Sequence, residues 1–115
     1  MELADRIERR LKLQDLRVLM TVVQAGSMGK AAKQLGTSQP AISRAIADLE
    51  HMLGVTLLDR DSHGVEPTAF GRLVISRGVT VFDELRQTVS DIEFLSDPAT
   101  GDVRIASSIA VAVSF

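Results

Sequence analysis

Within six positions the chain places Gln39, Pro40, Ser43 and Arg44, side chains suited to recognising the edges of nucleic-acid bases. A carboxamide can read adenine, a guanidinium can read guanine with two donors or grip a phosphate, and a proline ring can touch a thymine methyl. Ser27, Lys30, Lys33 and Ser38 lie before them, and Arg60 and His63 follow. Donors of these types fix a protein on phosphates without reading sequence. From residue 18 to residue 47 the chain holds Lys30, Lys33 and Arg44 and no acid. The formal net charge of -2 conceals this, because residues 1–60 carry nine Lys/Arg against seven acids and residues 61–115 four against eight. A local basic face still attracts phosphate inside an acidic protein, since charges beyond a Debye length of about 8–10 Å are largely screened.

These side chains need elements to carry them. Leu13, Leu16, Leu19, Met20 and Val23 recur at three- and four-residue steps and predict one amphipathic helix over residues 3–25, ended by Gly26. Ser27 is placed to cap a short helix, about 28–35, whose inward face is Ala31, Ala32 and Leu35. After "GTS" a third helix is expected over 39–53, burying Ile42, Ala45, Ile46, Leu49 and Leu53, with Gly54 as its left-handed cap. Two short strands, 55–60 and 64–68, flank "DSH", and Pro67 confines the second to a brief edge pairing. From Thr68, a candidate N-cap, a helix extends to about residue 96, weakened slightly by Gly71 and Gly78 at roughly 1 kcal/mol each relative to alanine. Phe82, Leu85, Val89, Ile92 and Leu95 form a narrow apolar seam along it, of the kind that pairs helices. At roughly 43 Å for about 29 residues it is longer than one small domain can cover, which favours dimerisation. "SDPATGD" (96–102) reads as a linker, and "VRIASSIAVAVSF" (103–115) as an opening strand.

The break inside "GKAAKQLGTSQPAISRAIADLE" (29–50) has a specific logic. Two helices crossing steeply through a tight turn need a small residue at their approach, a residue tolerant of positive φ in the turn, and an apolar residue reaching into the angle. Ala32, Gly36 and Ile42 meet those needs at spacings of four and six. Pro40 sits in the first turn of the third helix, where a missing N–H is harmless, and the positive helix end can face a phosphate.

The stretch "LRVLMTVVQAGSMGKAAKQLGTSQPAISRAIADLEHMLGVTLLDR" followed by "VEPTAFG" resembles the N-terminal part of LysR-type transcriptional regulators, over about residues 13–96. The resemblance implies a mainly α fold, a winged helix-turn-helix DNA-binding domain over 1–67 (helix-turn-helix about 28–47, wing about 55–67). A linker or dimerisation helix over 68–96 would follow, then the hinge and first strand of a truncated C-terminal effector-binding domain over 97–115. It implies double-stranded DNA as partner, with Gln39, Pro40, Ser43 and Arg44 reading bases and Ser27, Lys30, Lys33, Ser38, Arg60 and His63 on phosphates. A homodimer through Phe82, Leu85, Val89, Ile92 and Leu95 is implied too, and in the full-length protein a tetramer. A small-molecule inducer is expected only with a complete effector domain. Leu19, Met28 and Leu58 stand where the family is usually aromatic, and His63 stands where it often has a second basic residue.

Other chemistries fit less well. There is no cysteine, so neither disulfides nor thiolate metal sites are expected. His51 and His63 lack a paired-His helix motif, and no nucleophile elbow or phosphate loop accompanies any Ser/His/Asp set. The expectation is a non-enzyme without cofactor or metal, cytoplasmic and without membrane contact. A rival reading is a protein-interaction module that uses the seam as its working surface on the same scaffold.

Overall fold

The computed structural model describes residues 2–61 and 63–97. Among them the elements run α1 (Leu3–Arg10), α2 (Leu13–Ala25), α3 (Met28–Leu35), α4 (Gln39–Leu53), β1 (Leu58–Asp61), β2 (Gly64–Pro67) and α5 (Ala69–Ser96). Contacts divide the chain into two units, one up to Val79 and one from Thr80 onward. The strand expected over 103–115 lies outside the described residues.

The core of the first unit contains no aromatic ring. Val18, Leu19 and Val22 of α2 meet Met28, Ala31 and Ala32 of α3 and Ile42, Ile46, Leu49 and Met52 of α4, closed by Leu57 and Leu58. Each fully buried Leu or Ile stabilises this cluster by about 1.5–3 kcal/mol relative to exposure. Alanine at positions 31 and 32 keeps α3 thin where α2 and α4 both pack on it. Gly36 turns the chain between α3 and α4 at φ 66, a left-handed conformation that a Cβ disfavours. Ser27 Oγ accepts from Lys30 N at 3.1 Å and Ser38 Oγ from Ala41 N at 3.2 Å, so each of the two helices begins on a serine cap.

The single helix expected over residues 3–25 is two helices. Leu11 and Lys12 are extended (ψ 128 and 129), and the break redirects the chain so that α1 packs on α4. Leu11 thereby reaches the core, whereas a straight continuation would carry α1 past the end of the hydrophobic cluster. The first strand also starts three residues later than expected, at Leu58, where α4 takes the amides of Leu57 and of Leu58 itself. Glu50 Oε2 accepts from Leu57 N at 2.7 Å and from Leu58 N at 3.3 Å. Strands β1 and β2 then pair antiparallel, Leu58 opposite Pro67, Asp59 opposite Glu66, Arg60 opposite Val65 and Asp61 opposite Gly64.

Helix α5 begins on Thr68, whose Oγ1 accepts from Gly71 N at 3.1 Å and donates to Thr56 O at 2.6 Å. The two glycines that weaken this helix on propensity are its close contacts. A Cβ on Gly71 would lie 2.1 Å from the Leu57 carbonyl oxygen, and one on Gly78 would lie 3.1 Å from Met20 Sδ and 3.3 Å from Leu16.

Where α1, α2 and α4 meet, Arg10, Lys12, Asp15, Asp48, Leu49, His51 and Met52 line an open cleft of about 230 Å³. Burial raises the Asp15 carboxyl above its ordinary 3.8; Lys12 opposes this and Asp48 adds to it. A carboxyl raised in the folded state destabilises the fold when ionised, with no penalty below the unfolded pKa and the full penalty above the folded one. Asp15→Asn should therefore gain stability relative to wild type as pH rises from below 3.8 through the acid range, and keep that gain at neutrality. Thermal midpoints measured across a pH series would check the sign.

Candidate nucleic-acid interface

The outward face of α4 is built by its helical period. Ile42, Ile46 and Leu49 are buried, which leaves Gln39, Pro40, Arg44 and Ala47 exposed and Ser43 half-buried on the other side. Pro40 lies in the first turn, next to the Ser38 cap. Lys30 and Lys33 are exposed on α3, and Gln39 Oε1 comes within 3.6 Å of where a Cβ on Gly29 would sit. The first turn of α3 and the first residue of α4 therefore lie side by side. Ser27 and Ser38 use their oxygens as caps, yet each hydroxyl proton remains free to be donated outward.

The wing arrives at the same region from another side. Gly64 has φ 127, and a Cβ there would lie 2.9 Å from the Gly26 carbonyl oxygen, so the ribbon tip rests on the turn that leads into Ser27. Arg60 and His63 are exposed, and the His63 backbone N–H donates to Asp61 Oδ1 at 2.7 Å. Strand alternation puts Arg60 on the face of Leu58 and Val65, and Asp59, Asp61 and Glu66 on the opposite face. Asp59 and Glu66 are direct cross-strand partners, a like-charge pair that loosens a ribbon. A two-residue period applied to "LDRD" and "VEP" carries the signal for this sorting; the pairing register does not follow from sequence alone.

The structure thus places Ser27, Lys30, Ser38 and Gln39 at two adjacent helix starts, with Lys33 exposed in the last turn of α3 and the wing tip against the turn that precedes this helix. Phe82, Leu85, Val89, Ile92 and Leu95 belong to the second unit. There Phe82 is half-buried and the other four are between 40% and 56% exposed. The polar flank is tied along the helix by the Arg86–Asp83 ion pair and by Gln87 donating to Asp91 at 3.1 Å. Two residues of consequence were missed by sequence reasoning: Glu50, which holds the root of the wing, and Gly71, on which α5 approaches it.

A steep α3–α4 turn on an α2 platform, an exposed and capped α4, and a two-stranded ribbon define a winged helix-turn-helix module, here continued by a long helix. The family described as "Bacterial regulatory helix-turn-helix protein, lysR family" matches residues 13–72, and the chain belongs to it. The regulator TdcA of Escherichia coli (strain K12) is 40% identical over 92 residues, covering 80% of this chain and 30% of TdcA. The regulator GbpR of Azospirillum brasilense is 36% identical over 107 residues, covering 93% of this chain and 31% of GbpR. The chain spans about a third of the length of these curated relatives. Among solved structures, the BenM_DBD/catB site 1 DNA complex superimposes with a TM-score of 0.72 at 33% identity, over 76% of this chain and 98% of that one. The CbnR_DBD–DNA complex gives 0.72 at 31% identity, over 76% of this chain and all of the other. Helix α1 precedes the family match.

Proposed function

We propose that this chain is the DNA-reading part of a sequence-specific transcriptional regulator acting as a dimer. In this reading α4 enters the major groove with Gln39, Pro40, Ser43 and Arg44 toward base edges. Ser27, Lys30, Lys33 and Ser38 hold the phosphates beside it, and Arg60 and His63 hold those reached by the wing. The observation that carries the proposal is the exposure of Lys30, Lys33, Gln39 and Arg44 on two serine-capped helices, with no acid from residue 30 to residue 44. It is supported by the likeness to DNA-bound domains of this family. Pairing runs through Phe82, Leu85, Val89, Ile92 and Leu95, two-fold symmetry matching a pseudo-palindromic site. Control by a small-molecule inducer, and assembly into tetramers, belong to a full-length protein carrying an effector domain, working in the cytoplasm without catalysis.

A salt titration on duplex DNA tests the proposal. Contacts to several phosphates release counterions, so log affinity should fall steeply and linearly with log salt, whereas absence of binding at low salt would sink the reading. Within it, Arg44→Ala should weaken binding to a selected duplex by about 1–3 kcal/mol while leaving unselected duplex nearly unaffected. An equal loss on both would make Arg44 a phosphate contact.

A further inference from the structure

Every element of the wing is fastened to something outside it, and the fastening at its root comes from the recognition helix. Leu57 and Leu58 are buried to 0% and 4% exposure, and their N–H groups need acceptors at the rim of the core. Pro67, opposite Leu58, brings no donor to that end of the ladder. A single carboxylate oxygen, Glu50 Oε2, takes both amides, at 2.7 and 3.3 Å. Glu50 lies on α4 six residues beyond Arg44, so the strand that presents Arg60 leaves from a point set by the helix that presents Arg44. Thr68 N donating to Leu57 O at 2.9 Å ties the same root, and the far end of the ribbon is held by the Gly64 approach to Gly26.

From this geometry we infer that Glu50 is a positioning residue for DNA binding, which locks the wing to the recognition helix so that Arg60 and the α4 side chains meet the duplex as one rigid pattern. The inference rests on the function proposed above. Charge-assisted hydrogen bonds to backbone amides are roughly twice as strong as neutral ones, and an ionised carboxylate accepts without presenting a donor of its own. Glutamine at position 50 keeps the shape, and its amide oxygen in the place of Oε2 offers both N–H groups a neutral, weaker acceptor. The ribbon would then sample orientations in which the Arg60 contact is made only part of the time.

The test is a double-mutant cycle on the whole chain between Glu50→Gln and Arg60→Ala. The probe is the tightest duplex that wild type recovers from a library randomised at its centre. Each single variant should bind that duplex roughly fivefold less tightly, and the double variant no worse than the weaker single, because a loosened wing has already lost what Arg60 supplies. Hydrogen exchange at the Leu57 and Leu58 amides should accelerate in Glu50→Gln without DNA present. Multiplying losses in the double variant, or unchanged exchange at both amides, would overturn the inference. So would an Arg60→Ala variant that binds as wild type does. A wild type that recovers no duplex would instead defeat the functional reading, while the exchange measurement would still report the Glu50 bonds. Glu50→Asp, which retracts the carboxylate from the amides, gives a second version of the cycle should Glu50→Gln melt without cooperativity.

Discussion

Gly71→Ala is expected to destabilise the first unit by about 3–5 kcal/mol, because the added methyl group meets backbone rather than a flexible side chain. The new Cβ would sit 2.1 Å from the Leu57 carbonyl oxygen and 3.1 Å from its carbon, atoms of backbone with no rotamer to yield. The start of α5 must therefore move off the wing root. That movement pulls Thr68 from both its partners, Leu57 O at 2.9 Å and Thr56 O at 2.6 Å. Denaturant unfolding would measure the loss. A melting midpoint within a degree or two of wild type would mean that α5 does not approach the wing root this closely.

Leu85→Asp is expected to convert the proposed dimer to monomer, raising the dissociation constant by at least about a hundredfold, or roughly 3 kcal/mol. Leu85, Val89, Ile92 and Leu95 place four large apolar side chains, 40–56% exposed, along one helix of the second unit. Scattered exposed leucines are ordinary, but a contiguous row at this spacing marks an interaction face. In a two-fold pair the substitution enters twice, so two carboxylates would have to be buried in the seam. Because Leu85 is already 41% exposed in the single chain, the fold itself should melt almost unchanged. Sedimentation at matched concentrations separates the outcomes, and an unaltered mass would place the pairing surface elsewhere.

Much of the module was legible because its key residues act locally. Gly36 states its own backbone requirement, Ser27 and Thr68 cap the helices they precede, and Pro40 fits only a first turn. The period of α4 likewise predicts which face carries Gln39, Pro40 and Arg44. Where the structure departs from expectation, the cause is non-local. The break at Leu11–Lys12 is marked by no glycine, proline or capping side chain, and exists because α1 finds a surface on α4. Glu50 looks like a solvated helix carboxylate until the amides seven and eight residues onward fold back over it. Gly71 reads as a flaw in a helix until Leu57 occupies the space beside it. Among the candidate contacts, exposure followed from periodicity, as did the separation of Arg60 from Asp59 and Asp61, but placing Glu66 with those two acids needed the register of the ribbon.

The aromatic-poor core has an optical consequence. With no tryptophan and no tyrosine anywhere in the sequence, the protein is almost dark in the near ultraviolet. A tryptophan introduced as His63→Trp, at an exposed position on the wing, would be the sole strong emitter in the molecule. Its colour and polarisation would then test the proposed contact between wing and nucleic-acid backbone directly, with no signal from the interior to subtract.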